Sequence, residues 1–443
     1  MNGEATNTIP GKRTAAALRA YSAPLHSRMR SALGVVGPGV ITGAADDDPC
    51  AVGTYANAGA RFGFAMLWIA PILFPMMAAM VYLCSKIGMV TGMGIGGVVR
   101  TYYSRWILYP ILVALLITNI IAAAADLGAI AASLRLIVPV PIPIIVIAVT
   151  LGILTVQTWG SYELLQRIFK WLTLALFSYV GAALLAKPDL ASVLWGTFRP
   201  HVQLNAGQLA VLVAVVGTSL SPYLFFWQAS QEVEEEIAID RSQVWQRRGA
   251  SREELRYAAV DVNVGMFFSS LIMYFIILCT AATLFRSGQT NIDSAYAAAQ
   301  ALRPLAGNAA SLLFAAGIVG VGILAVPVLT TAPAYALAEA FDWKHSLNHH
   351  PENALEFYAV IVLSSLAAVA LNFIGMNPIR ALFWAGVIQG FLAPVVLLLI
   401  MFISNNREIM GQHVNGRPMN ILGWFTTAII AAAAAGLLWT WLT

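Results

Sequence analysis

The stretch Gly39-Val-Ile-Thr-Gly-Ala-Ala-Asp-Asp-Asp-Pro49 is small and mostly apolar as far as Ala45, then meets three acids and a proline. It lies within a longer apolar run over about residues 33–60, so the acids and the proline fall near the middle of that run. Proline has no N–H and clashes with the carbonyl one turn earlier, so the run must divide into two half-helices at Asp48-Pro49. A second stretch, Gly217-Thr-Ser-Leu-Ser-Pro-Tyr223, repeats the arrangement, with Ser221-Pro222 in the middle of another apolar run.

The surrounding composition places both runs in a membrane. Hydrophobic residues make up 59% of the chain, charged residues only 10%, and the mean hydropathy is +0.76. Soluble domains carry about 25% charge. Eleven segments have the length a bilayer requires, over about 33–60, 64–90, 106–135, 140–158, 165–186, 207–230, 260–285, 308–340, 354–375, 379–404 and 419–441. Residues 1–32 read as a polar, basic cytoplasmic tail running into the first span, with no cleavable leader. With the N-terminus inside, the cytoplasmic side holds 18 of the 25 Lys and Arg residues, which sets the orientation. The net charge of +4 is thereby a topology signal and not a nucleic-acid footprint.

The two breaks lie five spans apart, at the heads of two five-span halves, 33–186 and 187–404. Five being odd, the second half enters from the opposite face. The predicted fold is therefore an all-α polytopic membrane protein with about eleven transmembrane helices. It carries a LeuT-like inverted repeat (5+5) with broken helices 1 and 6, and residues 405–443 add the eleventh helix. Broken helices in lipid persist only where the freed backbone lines a cavity, and paired interruptions mark the midplane binding site of secondary transporters.

The residues at the breaks suit a cation. A half-helix that ends in the membrane exposes carbonyls with partial negative charge, Ala45 among them. Asp48 adds a full charge, and Ser221 and Thr218 add hydroxyls; oxygen-rich acidic sites bind hard divalent ions. Successive helical residues point about 100° apart, so the three acids cannot all face one site. Asp48, beside the break, is the expected ligand, with Asp47 or Asp46 lining the access path. The structural alternative is that these acids cap helix ends or pair with a distant base.

Other polar residues in the spans carry two readings each. Asp126, in Ala122-Ala-Ala-Ala-Asp-Leu-Gly128, relays protons, lines the cation route or bonds a neighbouring helix. Gln389 either reaches the centre or packs among apolar neighbours. Asp261 and Asn263 read as interfacial structure. Glu163 and Arg167, four apart on one helical face beside Tyr162 and Lys170, make a surface pair or a gate. Glu232, Glu234, Glu235 and Glu236 read as a solvated loop balanced by Arg241 to Arg256, or as a vestibule that draws cations. His345, His349 and His350 are a cytoplasmic tract without cysteine, weakly suited to metal. Cys50, Cys84 and Cys279 show no metal-finger or redox spacing; Cys50 is either a packing residue at a tight bend or a soft ligand.

Three motifs together carry a resemblance. Asp48-Pro49-Cys50-Ala51 followed by Gly59-Ala-Arg-Phe-Gly-Phe-Ala-Met-Leu-Trp68 resembles the first-span signature of the NRAMP metal-ion transporters, Asp-Pro-Gly-Asn and then Gly-Ala…Gly…Leu-Leu-Trp. Gly217-Thr-Ser-Leu-Ser-Pro-Tyr223 is similar to that family's Gly-Ala-Thr-Val-Met-Pro-His, and Asn406-Arg-Glu-Ile-Met-Gly411 resembles the segment after its tenth span. The resemblance implies that Asp48 binds metal and that the backbone carbonyl of Thr218 does too. It also exposes departures. Ala51 stands where the family has a liganding Asn, Ser221 replaces a liganding Met, Tyr223 a His linked to proton movement, and Cys50 a Gly. Loss of the soft thioether and a wider cavity suit Mg2+, an ion that keeps its waters, as in the NRAMP-related magnesium transporters. Loss of the His leaves Asp126 to carry protons, or leaves transport driven by the membrane potential alone.

The expected function is secondary transport of a divalent cation, Mg2+ and/or Mn2+, by alternating access; the alternative is a LeuT-like carrier of a small organic solute such as an amino acid, coupled to Na+ or H+. No nucleophile–base pair or cofactor motif points to an enzyme, and no cofactor beyond the transported ion is expected. The expected partners are the lipid bilayer and the ion, for a monomer in the cell's inner (plasma) membrane.

Overall fold

The computed structural model describes residues 37–442, apart from 137, 161, 201–205, 240, 242, 291, 293 and 375–377; for 162, 163, 165, 166, 170, 206, 378–387 and 437–442 it describes the backbone only. The predicted tail over 1–32 lies outside the described residues. Among those described, every regular element is helical.

The first span is broken where the proline demands it, into α1 (Pro38–Asp46) and α2 (Pro49–Phe62), joined by Asp47 and Asp48 alone. Then follow α3 (Ile69–Thr91), α4 (Ile95–Tyr102), α5 (Arg105–Arg135) and α6 (Ile142–Trp159). The fifth span is α7 (Tyr162–Thr173) continued by α8 (Phe177–Leu185), and α9 (Leu190–Phe198) leads out of it. The second broken span is α10 (Ala206–Ser219) and α11 (Pro222–Ala238), joined by Leu220 and Ser221. The remaining helices are α12 (Val244–Arg247), α13 (Arg252–Thr280), α14 (Ala295–Phe341), α15 (Leu355–Phe373), α16 (Pro378–Asn405), α17 (Arg407–Met410) and α18 (Arg417–Leu442).

Ten helical stretches are long and apolar enough to cross a bilayer. At 9 and 14 residues, α1 and α2 are each too short to cross alone; end to end they supply the eleventh span. Both second halves start with proline at the first helical position, where the missing N–H is no loss. In α14 the backbone leaves the helix at Gly307 (φ 87°, ψ 169°), so a short helix meets the eighth span at a corner. Glycine accepts that φ without a Cβ clash.

An unbroken helix runs beside the broken one. The Gly39 N–H donates to Asp261 Oδ2 on α13 at 2.6 Å. Further along, Gly43 and Gly265 meet with no room for a side chain: a Cβ on Gly43 would lie 2.2 Å from the Gly265 carbonyl oxygen. Next, the Ser269 hydroxyl donates to Asp46 Oδ2 at 2.8 Å, and beyond the break a Cβ on Gly59 would lie 2.4 Å from the Ile277 carbonyl oxygen. Residue numbers rise together on both partners, so α13 runs parallel to α1 and α2. Spans one and seven share a direction, as alternation across a membrane requires.

One expectation is overturned. The acids Glu232, Glu234 and Glu236 do not lie in a solvated loop; α11 continues to Ala238 and buries all three. Glu232 accepts from Ser85 Oγ at 2.6 Å and Gln228 Nε2 at 2.8 Å. Glu234 accepts from Tyr335, Ser346, the Leu347 N–H and Asn348, all between 2.7 and 3.0 Å. Glu236 pairs with Arg241, which also reaches Glu254. Buried carboxylates are retained only with such partners; apart from Gln228 and Arg241, which are close in sequence, the groups bonded to Glu232 and Glu234 come from distant parts of the chain.

Candidate metal-binding site

Asp48 is the N-cap of α2. Its Oδ1 accepts from the Ala51 N–H at 2.7 Å, satisfying one of the helix's orphan donors. The Tyr223 hydroxyl, from the first turn of α11, lies 3.2 Å from both Asp48 Oδ2 and the Ala45 carbonyl oxygen. One phenol thus ties the C-terminal end of α1, the link and the second broken span together. Asp48 keeps 6% of its surface exposed and Tyr223 2%.

Asp126 comes to the same place from α5. It is fully buried, and its Oδ1 accepts from the Cys50 thiol at 3.1 Å while its Oδ2 has no partner. The ligand atoms of Asp48, Cys50 and Asp126 lie within 4.8 Å of one another, and among the described residues no other His, Cys, Asp or Glu cluster of three does so. Three atoms no more than 4.8 Å apart lie within about 2.8 Å of a common centre, about 0.5 Å beyond a metal–ligand bond of about 2.1–2.3 Å, so a small inward shift would bring all three onto one ion.

The other sequence candidates divide. Ser221 and Thr218 bond to each other, the Ser221 hydroxyl donating to the Thr218 carbonyl at 2.7 Å, while the Thr218 hydroxyl turns back to Ala214. Asp47 joins Asp46 at Ser269, at 3.4 Å and 2.8 Å, on the α13 side of the link, and each acid keeps one buried oxygen without a partner. Gln389 is half-buried on α16, and no described hydrogen bond brings it to Asp48. Asp261 caps α1, a structural role, and Asn263 returns its amide to Ala259 on an exposed face. His345 is held by the Trp343 carbonyl and sits 4.0 Å from Glu339. The side chains of Tyr162, Glu163 and Lys170 lie outside the described residues.

Ser269 was not singled out from the sequence. Two adjacent serines, Ser269-Ser270, in an otherwise apolar span were the available signal.

The surroundings of the cluster differ on its two sides. Every residue of α1 is buried. There the Thr42 hydroxyl meets Gln228 at 2.5 Å, and Gln228 continues to Glu232 and Ser85, a buried polar chain across α1, α11 and α3. On α2, by contrast, Cys50, Thr54 and Asn57 are half-buried and Arg61 is exposed. Spaced three to four apart, they form one polar stripe leading from the cluster to the helix end.

A profile of the natural resistance-associated macrophage protein-like (Nramp) family matches residues 39–440. The chain belongs to this family. The Nramp relatives include a "Divalent metal cation transporter MntH" of Deinococcus radiodurans, 27% identical over 96% of this chain and 94% of that protein. Another of the same name, from Verminephrobacter eiseniae, is 28% identical with the same coverage. Among solved structures, the Eremococcus coleocola manganese transporter, in complex with an aromatic bis-isothiourea substituted compound, superposes with a TM-score of 0.76. It is 18% identical, covering 93% of this chain and 87% of that one. Mhp1, a nucleobase-cation-symport-1 family transporter, follows the same path at a TM-score of 0.58 and 14% identity. The LeuT-like Nramp fold is thus shared, and the relatives' names describe transporters, not enzymes.

Proposed function

We propose that this Nramp-family chain is a secondary transporter of divalent metal cations, with Mn2+ as cargo ahead of Mg2+, working by alternating access around Asp48. The observation that carries the reading is the pair of buried carboxylates, Asp48 and Asp126, converging at the break of the first span with one Asp126 oxygen unpartnered. Intramembrane acids are functional by default, and two of them match the charge of a divalent ion. The names of the relatives support the same cargo class. An organic solute bound through its carboxylate would meet these acids as like charges.

The polar stripe on α2 is the route to the site in this state, and the fully buried α1 with the Thr42–Gln228–Glu232–Ser85 chain is the closed side. With the N-terminus cytoplasmic, as the positive-inside pattern indicates, the opening faces away from the cytoplasm. Inward movement of a divalent ion then gains about 4.6 kcal/mol per 100 mV of membrane potential. The test is uptake into proteoliposomes: wild-type protein takes up Mn2+ and Asp48→Ala does not. Equal uptake by both would overturn the assignment.

A further inference from the structure

We propose that Cys50 is a direct ligand of the transported ion. With Asp48 and Asp126 it forms a three-point site that takes thiophilic and borderline divalent cations ahead of Mg2+ and Ca2+. The inference rests on the transport reading and deepens it, by naming the group that sets selectivity.

Three observations carry it. The Cys50 thiol donates to Asp126 Oδ1 at 3.1 Å, which holds the sulfur inside the Asp48–Cys50–Asp126 cluster. The same Asp126 carboxylate is fully buried and leaves Oδ2 without a hydrogen-bond partner, an acceptor held beside the Cys50 sulfur in the same three-residue cluster. The third observation is accessibility: Cys50 is half-buried at the head of the α2 stripe, whereas Cys84 and Cys279 are buried. A packing thiol needs no opening; a ligand thiol does.

The chemistry is consistent with that placement. A thiol binds metal as thiolate, its proton leaving to solvent as the S–metal bond forms. Two carboxylates already neutralise a divalent ion, so the thiolate adds one negative charge. It sits in the first turn of α2, where a helix N-terminus carries about half a positive charge. Sulfur ligands favour transition and soft metals, and Mg2+ and Ca2+ take oxygen. One sulfur between two carboxylates therefore ranks Cd2+ and Mn2+ above Mg2+.

The test uses the full-length protein in detergent, with Cd2+, Mn2+ and Mg2+ as probes. Cd2+ is expected to raise a thiolate-to-metal charge-transfer band in the near ultraviolet, absent from Cys50→Ser and retained in Cys84→Ser and Cys279→Ser. Maleimide is expected to label wild type at Cys50, and Cd2+ or Mn2+ to slow that labelling where equal Mg2+ does not. Cys50→Ser keeps the size and the donor to Asp126, so it preserves the fold; its preference for Cd2+ over Mg2+ should fall by about tenfold or more. Wild-type protein that binds Cd2+ without the band, or a Cys50→Ser variant with unchanged preference, would overturn the ligand role while leaving Asp48-centred transport standing. Failure of wild type to bind any of the three ions would overturn both.

Discussion

The contact between α1 and α13 allows a prediction far from any ligand. A methyl group on Gly265 would lie 2.0 Å from the Gly39 carbonyl oxygen and 2.8 Å from Val40 Cα, and Cβ contacts below 3.0 Å essentially never occur. The clashing atoms are backbone, so no side-chain rotation relieves them. In Gly265→Ala the two helices must part by about 1 Å, and overpacking of this kind costs about 1–3 kcal/mol. The shift cannot stay local. The Asp261 and Ser269 bonds hold α1 to α13 on either side of Gly265, and Asp48 follows α1 by two residues. Metal–ligand distances tolerate about 0.2 Å and positioned functional side chains about 0.5 Å. Mn2+ affinity is therefore expected to fall at least about tenfold, equivalent to about 1.4 kcal/mol, with a lowered unfolding temperature in detergent. The matched control is Gly217→Ala on α10, where a Cβ meets nothing within 4 Å and the helix gains up to about 1 kcal/mol of propensity. Titration calorimetry with Mn2+ and a thermal melt of both variants decide the matter. Wild-type affinity in Gly265→Ala, or an equal loss in Gly217→Ala, would refute the reasoning.

Two further outcomes follow from single hydrogen bonds. Asp261→Ala leaves the Gly39 N–H buried without its acceptor, and the unfolding free energy should drop by about 1–3 kcal/mol; a thermal or denaturant melt with no shift would show the cap is dispensable. Tyr223→Phe frees Asp48 Oδ2 from a donor with which the ion competes, so Mn2+ affinity should hold or rise by less than about tenfold. A loss greater than that, measured by the same titration, would mean the hydroxyl helps to hold the ion.

The positions of both breaks were legible because proline acts on its own chain: the rule that removes a donor at Pro49 and Pro222 needs no knowledge of the fold. The capping of α2 by Asp48, the alternative to its expected ligand role, follows from the same adjacency to Pro49. What escaped were contacts between residues far apart. Asp126 is 76 positions from Cys50, and no periodicity says which face of α5 meets α2. The acids at 232–236 were misread because charge density alone suggests solvent; Arg241 was among the bases expected to balance them, but the groups that bury Glu232 and Glu234, Ser85, Tyr335 and Ser346 among them, lie scattered along the chain. Ser221 and Thr218 were placed at the correct break, yet a hydroxyl next to a free carbonyl satisfies it first, and that local bond cannot be read from composition.

The course of α13 has a mechanical consequence. It touches α1 backbone to backbone at Gly43, bonds it through Asp261 and Ser269, and meets α2 backbone at Gly59. A rod fractured at its centre but splinted along both fragments does not flex at the fracture. If Asp48 is opened to one side and then the other, as proposed, the two fragments and their splint are expected to move as one body, and spin labels on α1 and α13 to hold their separation while the helices facing them move.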